Sequence, residues 1–208
     1  MSDSEEALST YEEKRDFRKT PERSKGEIDV DWAEERPMFV IQKHDASGLH
    51  YDLRLEVEGA LKSWAVPKGP STDPSERRLA MATENHPLAY ADFEGVIPED
   101  TYDGGTVLVW DRGSYRNLKE AEEGEEKAKS VAQQLKEGHA TVWLEGQKLQ
   151  GGYALIRTRK GDDPRWLLIK MRDEETDARR NPTSTEPESV RTGRTLEEIR
   201  EEEGERDG

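Results

Sequence analysis

Residues 50–57 read HYDLRLEV. Alternate side chains of an extended strand face opposite ways. Tyr51, Leu53, Leu55 and Val57 therefore form an apolar face, and His50, Asp52, Arg54 and Glu56 a polar one. Upstream, FVIQKH repeats the parity, with Phe39 and Ile41 on one side and Gln42 and His44 on the other. DASGL, read as a five-residue loop, is short enough for a hairpin that brings His44 beside His50 and Asp52. Two imidazoles and a carboxylate on adjacent strands suit a divalent transition metal with open coordination positions. Arg54, two residues beyond Asp52, is a bidentate donor matched to phosphate. The bland reading of such a face is a solvated strand surface. Against it, two of the four His, at 44, 50, 86 and 139, fall in this one hairpin.

A second cluster is RRLAMATENHPLAY. Arg78, Glu84 and His86 share strand parity, and Tyr90 follows a Pro turn. Arg78 is suited to a phosphate, Glu84 to orienting a ligand, and His86 to acid, base or donor work. Ordinary charges on an edge strand are the competing reading, and composition alone favours it. Lys68, at the Pro-Gly turn of KSWAVPKGP, reads by itself as a solvated lysine.

Period-two runs bounded by turn residues recur at 38–44, 50–58, 60–67, 77–84, 106–112, 140–145, 151–159 and 165–171. Residues 118–136 read instead as a helix, with Leu118, Ala121, Ala128, Val131 and Leu135 as a sparse apolar stripe and Gly138 at its end. The fold expected is mainly β: a small antiparallel barrel of about eight strands with one flanking helix and polar tails. The division is a charged N-terminal arm over 1–34, partly packed on the barrel, a barrel domain over 35–172, and a tail over 173–208.

Of 208 residues, 31% are hydrophobic and 38% charged, with a formal net charge of −15. The arm contributes −5, the barrel −3 and the tail −7, so the acidity is concentrated in the ends. An acidic chain argues against bulk attraction to nucleic acid, so any such function needs a local basic site. The absence of Cys excludes disulfides, a thiol nucleophile and thiolate metal ligation. No run of about 18 apolar residues is present, and the first residues lack the apolar core of a secretory signal, so the expected location is cytoplasmic. The tail has no aromatic residue and reads as mostly disordered apart from a short helix near 195–203, opened by a T-L-E-E capping box. A 1–175 fragment is accordingly expected to keep its metal and melting temperature, unless Arg191 and Arg194 grip DNA.

Long contiguous motifs carry a resemblance: FVIQKHDASGLHYDLRLEVEGALKSWAVPKGPS, ENHPLAYADFEGVIP, YDGGTVLVWDRG, the upstream YEEKRDFRKTPE, and the closing GYALIRTR and RWLLIKMRDE. Over about 11–175 the chain resembles the 3′-phosphoesterase domain of DNA ligase D, in a free-standing form that ends soon after the domain. The resemblance implies metal ligation by His44, His50 and Asp52, and phosphate contacts from Arg54, Lys68 and Arg78. It implies support from Gln42, Glu84, His86 and Tyr90, and from Arg15, Asp16 and Glu22 in the arm. The cofactor it implies is Mn²⁺, with Co²⁺ or Zn²⁺ as alternatives. The activity it implies acts on primer-template 3′ ends in non-homologous end joining. A terminal ribonucleoside is removed, then the 3′-phosphate, leaving a 3′-OH. Ku, a DNA ligase and a primase-polymerase are implied partners in the pathway. Two departures stand out: Thr101 where the family often has His before Tyr102, and Y-D-G-G where Y-G-A-G is usual, adding Asp103 to a loop near the site. A cupin-like small-molecule metalloenzyme and a non-catalytic DNA-end-binding module are the competing readings.

Overall fold

The computed structural model describes residues 3–22, 37–119 and 128–204. The alternating runs become nine strands: β1 (Met38–Asp45), β2 (Leu49–Val57), β3 (Ala60–Val66), β4 (Arg77–His86), β5 (Gly95–Ile97), β6 (Gly105–Asn117), β7 (His139–Gly146), β8 (Gln150–Arg159) and β9 (Arg165–Lys170). Strand order is β1-β2-β3-β4-β9-β8-β7-β6, and β1 also pairs with β6, closing an antiparallel barrel of eight strands. β5 is a ninth strand added to the β6 edge. Closure removes the open edges that an exposed sheet would present. β2 turns into β3 through Glu58 and Gly59, both at positive φ (53° and 79°), which is the two-residue hairpin turn that matches strand twist.

Side chains of one parity fill the barrel. Phe39, Ile41, Leu53, Leu55, Trp64, Leu108, Trp110, Tyr153, Trp166 and Leu168 belong to one buried cluster. Trp64 and Trp166 meet edge to face at 5.8 Å. At roughly 200 Å² per ring, each buried aromatic gives about 5 kcal/mol of gross hydrophobic stabilisation. The opposite face of β1 and β2 is not solvated. A second apolar cluster lies there, including Val40 of β1, Val107 and Val109 of β6, Tyr11 of the arm helix α1 (Asp3–Glu13), and Tyr90 and Phe93 in and after a 3₁₀ turn (Leu88–Asp92). The polar residues of the hairpin are thus sandwiched between the barrel wall and an outer apolar layer.

Several expectations are corrected. The loop joining β1 to β2 is only residues 46–48, because Asp45 and Leu49 still pair. The helix expected over 118–136 is much shorter: β6 runs on to Asn117, and the helix seen is α2 (Val131–Glu137), capped by Ser130 and ended by left-handed Gly138. Residues 120–127 of that expectation lie outside the described residues, as do 23–34 of the arm and 205–208. The C-terminal stretch, expected to be mostly disordered, is laid along the barrel through residue 204. It contains α3 (Pro182–Thr185) and α4 (Leu196–Gly204). Its backbone carbonyls accept hydrogen bonds: Glu186 O takes Trp110 Nε1 (2.7 Å) and Lys148 Nζ (2.9 Å). Ile199 is fully buried in the barrel cluster. Few apolar residues suffice because polar anchors replace an apolar face. Glu94, itself buried, receives the Ser189 and Thr192 hydroxyls and Arg194. Arg191 and Arg194 are held by Asp92 and Glu94 rather than presented to a ligand. Among the described residues no helix is long and apolar enough to cross a membrane.

Candidate metal centre

The β1–β2 register places His44 opposite His50 and Gln42 opposite Asp52. His44 Nδ1 is 3.7 Å and His50 Nε2 3.6 Å from the same Asp52 oxygen, Oδ2. One ligand atom from each of the three lies within 4.8 Å of the others. His50 Nδ1 faces the Gly48 carbonyl at 2.9 Å, which places a proton there and frees Nε2 as a lone-pair donor. His44 Nε2 is buried with no hydrogen-bond partner. Two imidazole nitrogens and one carboxylate, one nitrogen buried without a partner, fit a divalent metal ion. Burial raises the Asp52 pKa, but the Arg54 charge and the two neighbouring imidazoles outweigh it and hold the carboxyl well below the usual range. Burial lowers the His50 pKa, yet Asp52 outweighs that and the net shift is upward.

Arg54 is 3% exposed and tied on every side. Nε donates to Gln42 Oε1 (2.7 Å), Nη1 to Ser63 Oγ (2.8 Å) and His86 Nδ1 (2.9 Å), and Nη2 to Asp52 Oδ2 (3.3 Å). Four of the five guanidinium N–H groups are therefore used within the protein. The bidentate phosphate fork expected of this residue is spent on fixing the guanidinium, leaving one Nη2 hydrogen for a ligand. Gln42 is fixed in turn, its amide donating to the carbonyls of Tyr90 (2.9 Å) and Phe93 (3.0 Å). His86 Nδ1 lies 2.9 Å from Arg54 Nη1, which can only donate, and 3.1 Å from the Glu84 carbonyl, which can only accept; the shorter contact, to a charged donor, favours the tautomer that carries its proton on Nε2. Burial first, then the Arg54 and Arg15 charges, push the His86 pKa well below its ordinary value, so the ring is neutral. Tyr90, at 4.7 Å from His86 between ring centroids, lies under the Arg54 guanidinium.

The arm closes the second side. Arg15 stacks on Tyr11, 4.0 Å from the ring centroid. It donates to Glu22 Oε1 (2.7 Å), Glu84 Oε1 (3.2 Å) and Asp103 Oδ2 (3.2 Å). Lys14 reaches Glu84 and the Tyr102 hydroxyl. His86 and Tyr90 touch Arg54 directly, whereas Arg15, Glu22 and Glu84 form a neighbouring network, joined to His86 through the Tyr11 ring and the Glu84 carbonyl. Asp16 instead pairs with exposed Arg18 beside it.

Lys68 and Arg78 line a hollow with Pro67, Glu76, Arg77 and Leu79, and Arg78 is paired with Glu76. The shared parity read for Arg78, Glu84 and His86 fails at an irregularity where β3 residues Leu61 and Ser63 face His86 and Thr83. A bulge inserts a residue and flips the faces beyond it. Arg78 accordingly keeps the parity of Ala80 and Ala82, which pack on the barrel interior, while His86 turns to the outer site. Sequence reasoning missed Ser63, and no feature of ALKSWAV marks it; only its register opposite Arg54 does.

The fold and geometry define a closed β-barrel that carries a two-histidine, one-aspartate candidate metal centre beside a locked arginine. Residues 42–157 match the family described as the DNA Ligase D 3′-phosphoesterase domain, and the chain belongs to that family. It is 46% identical over 93% of its length to the multifunctional non-homologous end joining protein LigD of Pseudomonas aeruginosa. It is 42% identical over 80% of its length to the LigD protein of Mycolicibacterium smegmatis, and 41% over 80% to the multifunctional non-homologous end joining DNA repair protein LigD of Mycobacterium tuberculosis. The matched region is 22%, 21% and 20% of those proteins, so the chain spans about a fifth of the relatives it matches.

Proposed function

We propose that the chain is a metal-dependent phosphoesterase that heals DNA 3′ ends. It removes a terminal ribonucleoside from a primer-template, then the 3′-phosphate, and leaves a 3′-OH for end joining. The observation that carries this reading is the locked Arg54 and neutral His86 set directly beside the His44–His50–Asp52 triad, in a chain of the 3′-phosphoesterase family. Mn²⁺ is the ion proposed, with Co²⁺ or Zn²⁺ able to use the same mixed nitrogen and oxygen donors. When bound at His44, His50 and Asp52, the metal supplies charge neutralisation at the phosphoryl group.

The chain's own residues do the rest. Arg54 offers its remaining Nη2 hydrogen to a non-bridging phosphate oxygen, at no reorganisation cost because Gln42, Ser63 and Asp52 already hold it. His86 donates from Nε2 toward the leaving oxygen, and its low basicity keeps it neutral and correctly tautomerised around neutral pH. Lys68, just past the end of β3, and Arg78 of β4 add positive charge for the phosphate of the substrate. Ku, DNA ligase and a primase-polymerase are proposed to act on the same ends.

The barrel interior is filled by Trp64, Trp110 and Trp166 while the triad lies on the outer face, which disfavours a cupin-like enzyme with its substrate inside the barrel. The test is incubation with Mn²⁺ and a primer-template ending in one ribonucleotide, with products resolved over time. Sequential appearance of 3′-phosphate and 3′-OH ends is expected. An intact primer, or equal attack on 5′-phosphates and free nucleotides, would overturn the reading.

A further inference from the structure

Asp103 overhangs the centre from the loop between β5 and β6. Two strand pairs place that loop: Val107 faces His44 and Thr106 faces Asp45. Gly105 is pressed so closely on the Asp45 carbonyl that a Cβ there would collide with it. Asp103 itself sits at φ 60°, a left-handed conformation that Asp and Asn tolerate better than most residues. Its carboxylate accepts from Arg15 Nη2 at 3.2 Å, yet its side chain is 43% exposed. Burial and Glu84 raise its pKa, His44 and Asp52 act on it, and its charge reaches His50. All three residues of the triad are thus within its electrostatic reach.

Charge counting gives this carboxylate a consequence. The ion-paired groups at the site form two adjacent sets, Arg54 with Asp52, and Lys14 and Arg15 with Glu22, Glu84 and Asp103. Together they carry one negative charge, and a divalent cation turns that to one positive. A phosphodiester monoanion balances it, whereas a phosphomonoester dianion exceeds it. A half-exposed carboxylate is also an acceptor for a sugar hydroxyl.

We propose that Asp103 sets the substrate preference of the centre, favouring a 3′ end with one phosphodiester charge and a sugar hydroxyl over one with a phosphomonoester dianion. This rests on the phosphoesterase reading above. The test uses the full chain and two variants that the left-handed backbone accepts, Asp103→Asn and Asp103→Gly. Each is assayed with Mn²⁺ on matched primer-templates ending in a ribonucleoside or a 3′-phosphate. The ratio of kcat/KM, 3′-phosphate over ribonucleoside, should rise about tenfold in both, the effect of one nearby charge at intermediate dielectric. A second readout needs no turnover. In EDTA, the affinity for a 3′-phosphate primer relative to a 3′-OH primer, read by fluorescence anisotropy, should rise about three- to tenfold. Parallel loss on both ends with an unchanged affinity ratio would mean that Asp103 only anchors Arg15, and would overturn the proposal. Failure of the wild-type chain on both ends would instead sink the phosphoesterase reading, whereas a constant ratio with both ends processed sinks this inference alone.

Discussion

At the scale of single residues the site is governed by saturation. Arg54 has four of its N–H groups committed to Gln42, Ser63, His86 and Asp52. A lysine ammonium cannot reach those acceptors together from a single nitrogen. Arg54→Lys is therefore expected to lower kcat by about 10²-fold or more on both 3′ ends, checked by steady-state kinetics beside a circular dichroism spectrum; wild-type turnover would contradict this role. The triad also predicts a pH dependence. His50 binds its proton more tightly than the ordinary imidazole, whose pKa is 6.5, because Asp52 outweighs burial. Metal and proton compete for the same ring. Mn²⁺ affinity should be flat above the raised His50 pKa and fall about tenfold per pH unit below it, as measured by calorimetry between pH 6 and 8. A flat profile across that range would remove His50 from the ligand set.

Elements explain which parts of this site could be read in advance. The β1–β2 hairpin was legible because polar and apolar side chains alternate along β2 and the end of β1, so parity showed which side chains share a face. His44, His50, Asp52, Arg54 and Gln42 all followed from it. The parity read for Arg78, Glu84 and His86 failed because a bulge between Thr83 and His86 leaves no mark in an alternating sequence. β5 was missed because three residues are too short to show a period. The arm shows a further limit. Resemblance pointed to Arg15 and Glu22, but that Arg15 bridges Glu22, Glu84 and Asp103 requires the fold. Removing one partner of such a buried network leaves uncompensated charge, typically about 3–5 kcal/mol. Arg15→Ala should lift the arm away rather than melt the barrel. Limited proteolysis should then cut within residues 3–22 while the barrel fragment persists, and an arm as resistant as wild type would contradict the docking described.

For the whole molecule, composition proved a poor guide to order. The tail is acidic and lacks aromatics, yet it satisfies Glu94, Trp110 and Lys148 and buries Ile199. Specific polar anchors on a preformed barrel are invisible to hydropathy. Truncation after residue 175 leaves buried Glu94 without its hydroxyl and arginine partners, a loss of about 3–5 kcal/mol. At about 2–4 °C per kcal/mol for a chain of this size, the melting temperature should fall by roughly 10 °C. An unchanged melting temperature, followed by circular dichroism, would mean that the docked tail contributes no stability.

The proposed activity depends on one centre, and counting bound Mn²⁺ tests it most directly. Titration of the purified full chain, followed by the loss of the free-ion electron paramagnetic resonance signal, should give one tight ion per chain. His44→Ala, His50→Ala and Asp52→Ala should each abolish that tight binding and the 3′-end activity together, while the circular dichroism spectrum stays that of a folded β-barrel. Any of the three variants that keeps one tightly bound ion, or keeps wild-type turnover without one, would contradict the account.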